Sequence, residues 1–184
     1  MSNALSKWFA ALLSVLLLYL LPAWEGARRQ DDLSRLMVMQ SVTKFTDSIR
    51  MKGYISPGVY NDFRKELGAA GNVYQVEMEH QHKRYHPEYS DPADPATFLG
   101  RYSVVHDAYY TSDIMQVLFP ESELSSEADE RLYKLTAGDY FSVEVSNMST
   151  TPYQIYSNVL TTTDPSAGAG IAYVYGGMVL NEDY

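Results

Sequence analysis

The sequence predicts an α+β fold, with helices in the first part of the chain and an antiparallel sheet after them. Two hydrophobic patterns lead to this prediction. Apolar residues recur at three-and-four spacing up to Leu67, as on one face of an amphipathic helix. From Tyr74 onward they alternate with polar residues, as in strands that bury one face. At 184 residues, the chain fits one domain preceded by an apolar segment.

The composition excludes several classes of function. A formal net charge of −9 argues against a DNA or RNA partner, because binding to phosphate backbones requires clustered Lys and Arg. The chain has no cysteine, which excludes disulfides, thiolate metal sites and cysteine nucleophiles. Its 16 tyrosines suit half-buried strands and protein interfaces, since tyrosine has an apolar body and a polar tip.

The first element is the apolar run "KWFAALLSVLLLYLLPAWEGARR". Its 17 uncharged residues, 8–24, lie at the short end of the about 17–25 needed to cross a bilayer, and Lys7 can extend the span by snorkelling. Both tryptophans of the chain stand at the ends of the run, where indole rings favour the lipid–water interface. We therefore predict an uncleaved membrane anchor. Its membrane-facing residues are Trp8, Phe9, Leu12, Leu16, Leu20 and Trp24.

A cleaved secretory signal is the alternative interpretation of this run. Lys7 would supply a minimal charged region, and Pro22 would end the apolar one. The small-residue cleavage pattern is poor, however, because Leu21 and Glu25 stand two residues before the alanines at which a cut would fall.

The orientation depends on the charges that follow the run. Arg28, Arg29 and Arg35 alone would keep the rest of the chain in the cytoplasm by the positive-inside rule. Long domains translocate largely regardless of charge, however. We therefore expect a membrane anchor, residues 1–27, and an α+β domain outside the cytoplasm, residues 28–184.

An amphipathic helix follows the anchor. Its apolar stripe runs from Leu33 to Ile49, and Gly53 supplies the stop. Since no proline lies between Pro22 and Gly53, the anchor and this helix form either one rod with a kink near Pro22 or two helices hinged at Gly26.

The two halves of this stripe have different predicted uses. We expect the C-terminal half, Val42 to Ile49, to pack on the sheet. The N-terminal half is left for a neighbouring subunit, and methionine suits such adaptable contacts. The predicted partner-packing residues are Leu33, Leu36, Met37 and Val38.

A second helix begins at Ser56-Pro57. Serine caps the free amides and proline is preorganised for the first helical position. Tyr54-Ile55 is predicted to be a short linker that makes the two helices a hairpin-like pair. The apolar face of the second helix, ahead of Gly68, consists of Val59, Tyr60, Phe63 and Leu67.

The period then changes from 3.6 to 2 in "NVYQVEMEHQHKRY", where Tyr74, Val76 and Met78 share one face. The segment "DPADPAT" is predicted to be a loop. Residues 101–106 are expected to pair back as a second strand.

The remaining chain is predicted to contain one short helix and two further strands. The helix spans Ser112 to Leu118, and the acidic "ESELSSEADER" after it is a solvated connection or a weak helix. Alternation in "YFSVEVSN" predicts a strand that buries the side chains at 141, 143 and 145. Ile171 to Leu180 forms the last strand.

His80 and His82 are the residues closest to a metal-site pattern. They lie two apart on a strand and therefore share a face, and two such imidazoles can begin a Zn²⁺ site. His86 and His106 are the candidate third ligands, but neither has a fixed spacing to the pair. We expect strand residues without a complete ligand set, and hence no metal.

Other chemical signals in the chain are weaker. The acidic residues of segment 121–130 lack the glycine and the alternating oxygen ligands of a calcium loop. Gly168, Gly170, Gly176 and Gly177 are followed by no Lys-Ser/Thr pair, so strand bends or a bulge explain them better than a phosphate loop. No serine stands in a nucleophile-elbow context. The sequence therefore predicts a non-enzymatic protein without a cofactor.

The order of elements resembles that of type IV pilin-like proteins, and more specifically that of the TadE-like pseudopilins of Flp/Tad pilus systems. The resemblance lies in "FAALLSVLLLYLLPAW" continuing into "LSRLMVMQSVTKFTDSIRMKGYI", followed by "LTAGDYFSVEVSN" and "AYVYGGMVLNEDY". Processed pilins carry a glycine before the apolar run and a glutamate within it, whereas here the first glutamate is Glu25. The resemblance thus implies an unprocessed, membrane-anchored accessory component.

Three hypotheses on function follow, of which the third, a hydrolase or metal enzyme, has no site that the sequence identifies. The first is a structural or assembly component of a bacterial pilus or secretion apparatus, whose partners are other membrane or apparatus subunits or further copies of itself. The alternative is a membrane-tethered binding module, whose tyrosine-rich sheet binds a peptide, glycan or surface partner.

Overall fold

The computed structural model describes residues 2–121, 128–161 and 172–184. The fold is α+β, as the sequence predicts, with one long N-terminal helix, shorter helices and antiparallel sheets. The helices are α1 (Ser2–Lys52), α2 (Pro57–Ala69), α3 (Thr111–Leu118) and α4 (Pro152–Thr161). The strands are β1 (Tyr54–Ile55), β2 (Tyr74–Tyr89), β3 (Phe98–Tyr110), β4 (Tyr133–Lys134), β5 (Tyr140–Asn147) and β6 (Ala172–Met178).

Helix α1 is continuous over 51 residues and passes through both Pro22 and Gly26. At about 1.5 Å per residue it is roughly 76 Å long. The alternative of two helices hinged at Gly26 is therefore wrong. The predicted stop is confirmed, because Gly53 has a φ of 77° and its amide donates to the Ile49 carbonyl at 2.7 Å.

Helix α2 begins as its sequence predicts. The Ser56 hydroxyl accepts a hydrogen bond from the Val59 amide at 3.3 Å, and Pro57 takes the first position. The ring of Phe45 in α1 stacks on that of Phe63 at a centroid distance of 4.1 Å. The two helices thus form the expected pair, with the Phe45 ring against α2.

The main sheet has the order β3-β2-β5-β6 and is antiparallel throughout. The predicted alternation is confirmed in both central strands: Val76 and Met78 are buried opposite Val145 and Val143. The core lies between this face of the sheet and the C-terminal part of α1, with α2 and α3 beside it. Its fully buried members include Val42, Ile49, Ile55, Ile114, Leu118, Leu135 and Phe141.

Val38 also belongs to this core, at 1% exposure. The prediction that Val38 faces a partner is therefore wrong. It lies four residues before Val42, and residues four apart share one face of a helix. The inward face of α1 thus begins earlier than expected.

Three features differ from the predicted element list. The linker at Tyr54-Ile55 is a strand, because β1 pairs with β4 in a second, two-stranded sheet. Helix α4 has no counterpart in the sequence-based prediction. Strand β6 pairs with β5 without a register shift, so Gly176 and Gly177 form neither a bend nor a bulge. Their lack of a side chain makes room for neighbouring groups instead, since a side chain at Gly177 would overlap the Arg50 guanidinium.

The C-terminal segment after β6 lies across the end of α1. The Leu180 amide donates to the Arg50 carbonyl and the Asp183 amide to the Lys52 carbonyl, each at 2.8 Å. These carbonyls belong to the last turn of α1, where no intrahelical partner exists. The C-terminal segment therefore caps the C-terminal end of α1.

Candidate functional site

The N-terminal part of α1 is one long apolar surface. It is long and apolar enough to cross a membrane, a property that signal sequences share, and its most apolar stretch is not buried against the domain at all. Trp8, Phe9, Leu12 and Leu16 are half to four-fifths exposed. Trp24 is different, because its ring lies 6.1 Å from that of Tyr153 in α4.

The next turns of α1 carry apolar side chains on both faces. Val38 faces the core, whereas Leu33, Leu36, Met37 and Met39 are about half exposed. These four side chains, which we call the outer row, form a second exposed apolar surface on α1, separated from the N-terminal one by the polar segment 25–32, in the region where α1 packs on the domain. An exposed apolar patch of this kind marks an interaction surface more often than an isolated apolar residue does.

A second exposed surface is the β-ribbon, defined as residues 82–89 of β2 with their β3 partners 98–107. Strand β5 pairs only with residues 74–81 of β2, so the ribbon projects beyond the four-stranded part of the sheet. Both of its faces are largely exposed. At its end, the ring of Phe98 packs against those of Tyr89 and Tyr102, at centroid distances of 5.7 and 5.4 Å.

A polar cluster lies where the ribbon joins the core. The Asp139 carboxylate lies 2.9 Å from His80 Nε2 and 3.0 Å from His82 Nδ1, both measured to Oδ2. Backbone amides complete the shell, since Lys83 N donates to Oδ1 and Thr136 N to Oδ2. Side-chain exposure is 1% for Asp139, 5% for His80 and 33% for His82.

Strand register explains why these residues meet. Gln81 pairs with Tyr140, so Asp139 follows at the next position of the ladder, beside His82. Asp139 also has the same parity as the buried Phe141, which places both on the core side of β5. A tight turn, closed by the Asp139 amide on the Thr136 carbonyl at 3.0 Å, leads into this position.

The protonation states of the cluster follow from burial and hydrogen bonding. Burial lowers the pKa of His80 despite the nearby carboxylate, so the ring is neutral near pH 7. Burial opposes ionisation of Asp139, but hydrogen bonds from His82, Lys83 N, His80 and Thr136 N outweigh it and hold the Asp139 pKa below its ordinary value. His80 therefore donates its Nε2–H to Asp139 and accepts the Tyr133 hydroxyl at Nδ1, 2.7 Å away.

The sequence placed the two histidines on one face correctly, but it did not identify Asp139. The predicted third partners do not join them, because His86 and His106 lie on the exposed ribbon, and His106 pairs with Lys83 on the opposite face. Extending the alternation of β5 by two residues would have placed Asp139 on the buried side. Of the acidic calcium candidates, Glu123 and Glu127 lie outside the described residues.

The chain has no match among protein-family models, curated proteins or solved structures. The class that the fold defines is thus an α+β protein with a long apolar N-terminal helix.

Proposed function

We propose that this protein is a membrane-anchored, non-enzymatic assembly component of a bacterial pilus-like or secretion apparatus, with its α+β domain outside the cytoplasm. The observation that carries the proposal is the continuity of α1. One helix supplies the exposed apolar N-terminal segment and also the core residues Val38 to Ile49. Such a helix holds the domain in a fixed position relative to the membrane-spanning segment, because no flexible joint separates them.

The outer row is the proposed contact surface for a neighbouring subunit. Leu33 and Leu36 are exposed by 61% and 59%, although they lie within a few residues of the buried Val38. A helix that served only its own domain would expose polar side chains on this face. A long helix packed along an antiparallel sheet also agrees with the pilin-like plan that the sequence resembles.

The first test replaces outer-row and core residues on the same helix. Leu36→Asp and Met37→Asp should leave the melting temperature of the detergent-solubilised full-length protein within a few degrees of wild type, because neither buries a charge. They should abolish photo-crosslinking of α1 to other subunits, or to a second copy, in native membranes. Phe45→Asp should unfold the domain, because it buries an unpaired charge beside Phe63.

Met148→Asp is the matched control, since Met148 is 65% exposed in the loop after β5 and does not belong to the outer row. It should affect neither stability nor crosslinking. If the outer-row variants melt as early as Phe45→Asp, or still crosslink like Met148→Asp, the assembly role is wrong. An assembly component should also be encoded beside a secretion ATPase and a polytopic membrane platform protein.

The β-ribbon favours a second candidate, a tethered binding module. Tyr85 and Tyr102 are 61% and 60% exposed, and aromatic side chains of this kind supply contact area at low entropic cost. In that case Tyr85→Ser and Tyr102→Ser would abolish partner binding, whereas the outer-row variants would retain it.

A further inference from the structure

Two imidazole nitrogens and a carboxylate oxygen converge in the cluster at the base of the ribbon. The ligand atoms of His80, His82 and Asp139 all lie within 4.8 Å of one another. His80 Nε2 lies 2.9 Å from Asp139 Oδ2, whereas His82 Nδ1 lies almost equally far from both carboxylate oxygens, 3.0 Å from Oδ2 and 3.1 Å from Oδ1. Imidazole nitrogen and carboxylate oxygen are the ligand types of many transition-metal sites, and an ion placed between these three atoms would bond to each of them.

The spacing of these atoms is close to that of a zinc site. Zinc bonds to imidazole nitrogen and carboxylate oxygen at about 2.0–2.2 Å, so ligand atoms in a tetrahedral site stand about 3.3 Å apart. The two nitrogen-to-oxygen distances of 2.9 and 3.0 Å need to grow by a few tenths of an ångström, and the distance between the two nitrogens is at most 4.8 Å. The exposed side of His82 leaves the fourth position to water.

The surroundings of the cluster supply the support that metal ligands require. Lys83 N holds the second carboxylate oxygen at 3.0 Å, which fixes the orientation of Asp139. Tyr133 contacts His80 Nδ1 at 2.7 Å, and its hydroxyl can donate to that nitrogen or accept from it. When His80 Nε2 binds an ion, the ring proton moves to Nδ1. The Tyr133 hydroxyl then accepts a hydrogen bond from Nδ1–H, which is the role that a hydrogen-bond partner of a zinc-bound histidine usually has.

We propose that His80, His82 and Asp139 bind one divalent transition-metal ion, with Zn²⁺ as the best fit. Two imidazoles and one carboxylate suit zinc, whereas Mg²⁺ and Ca²⁺ prefer shells made of oxygen alone. The ion joins β2 to the turn before β5 and has a structural role. Asp139 is the third ligand whose absence from the sequence pattern led to the expectation of no metal. The site is independent of the proposed assembly role.

The test is a zinc titration of the full-length protein in detergent, freed of metal with a chelator that is then removed. Competition with a chromophoric chelator should show one tight zinc ion per chain. His82→Gln should weaken this binding by at least about tenfold, because it removes a ligand. His82 is one-third exposed, so this variant should melt near wild type when zinc is absent.

The matched control is the double variant His86→Gln/His106→Gln, which removes the two other histidines of the ribbon, neither of them a proposed ligand, and should bind zinc as wild type does. Zinc should raise the melting temperature of wild type and control, but not that of His82→Gln. Cobalt(II), used as a visible probe, should give a tetrahedral absorption band in wild type and control only. The proposal is overturned if wild type binds no zinc, if His82→Gln binds it equally, or if the control loses it.

Discussion

At the residue scale, Gly53 allows the C-terminal segment to lie close to the end of α1. Its φ of 77° lies in the left-handed region, and an added Cβ would overlap the Asn181 carbonyl oxygen. Gly53→Ala should therefore destabilise the protein by about 2 kcal/mol or more, because an alanine in this conformation costs about 1–3 kcal/mol before the overlap is counted. Denaturant unfolding of the full-length protein in detergent, followed by circular dichroism, measures the change.

Gly68→Ala is the control for this substitution. Gly68 lies within α2, has no left-handed φ and has nothing within 4 Å of an added Cβ. Alanine should stabilise the protein there by about 0.4–1 kcal/mol, because it reduces the freedom of the unfolded chain. Equal losses at the two positions would mean that the contact with the C-terminal segment contributes little.

At the element scale, the sequence predicted the elements whose signals lie within one segment, but not those that depend on pairing between distant segments. Helix α2 was predictable because its cap, Ser56-Pro57, and its apolar spacing all lie within one segment. Strands β1 and β4 were not, since each has two residues and they pair across nearly 80 positions of the chain. The same limit explains Asp139: the alternation of β5 gives its face, but only the register of β2 against β5 brings it to His80.

The β-ribbon should be the least protected part of the sheet. Its backbone hydrogen bonds join only two strands, and both faces are largely exposed, so it can open without disturbing the core. In hydrogen–deuterium exchange of the isolated protein, ribbon amides should exchange well before those of Phe141, Val143 and Val145, which are buried in a central strand. Equal protection in the ribbon and in β5 would contradict this, and would indicate that another surface covers the ribbon.

At the scale of the whole molecule, α1 gives the protein two dissimilar halves. The N-terminal half has an apolar surface that the domain leaves exposed, while the C-terminal half is the central helix of that domain. A cleavage between Ala23 and Arg29 would cut this helix in the middle and would also separate Trp24 or its neighbours from α4. We therefore expect the mature protein to retain the anchor.

The expectation that the anchor is retained predicts how charges along α1 affect membrane association. Leu12→Arg combined with Leu16→Arg should release the protein from membranes washed with alkaline carbonate, because each arginine near the centre of a spanning helix costs about 2.5–3.5 kcal/mol. Leu36→Arg introduces the same charge on the same helix, beyond the anchor, and should stay with the membrane.

The intact mass of the membrane-extracted wild type should include residues 8–24. A membrane-bound species that starts after Ala23, or equal retention of all three proteins, would show that this segment is a signal sequence or that the domain itself holds the membrane.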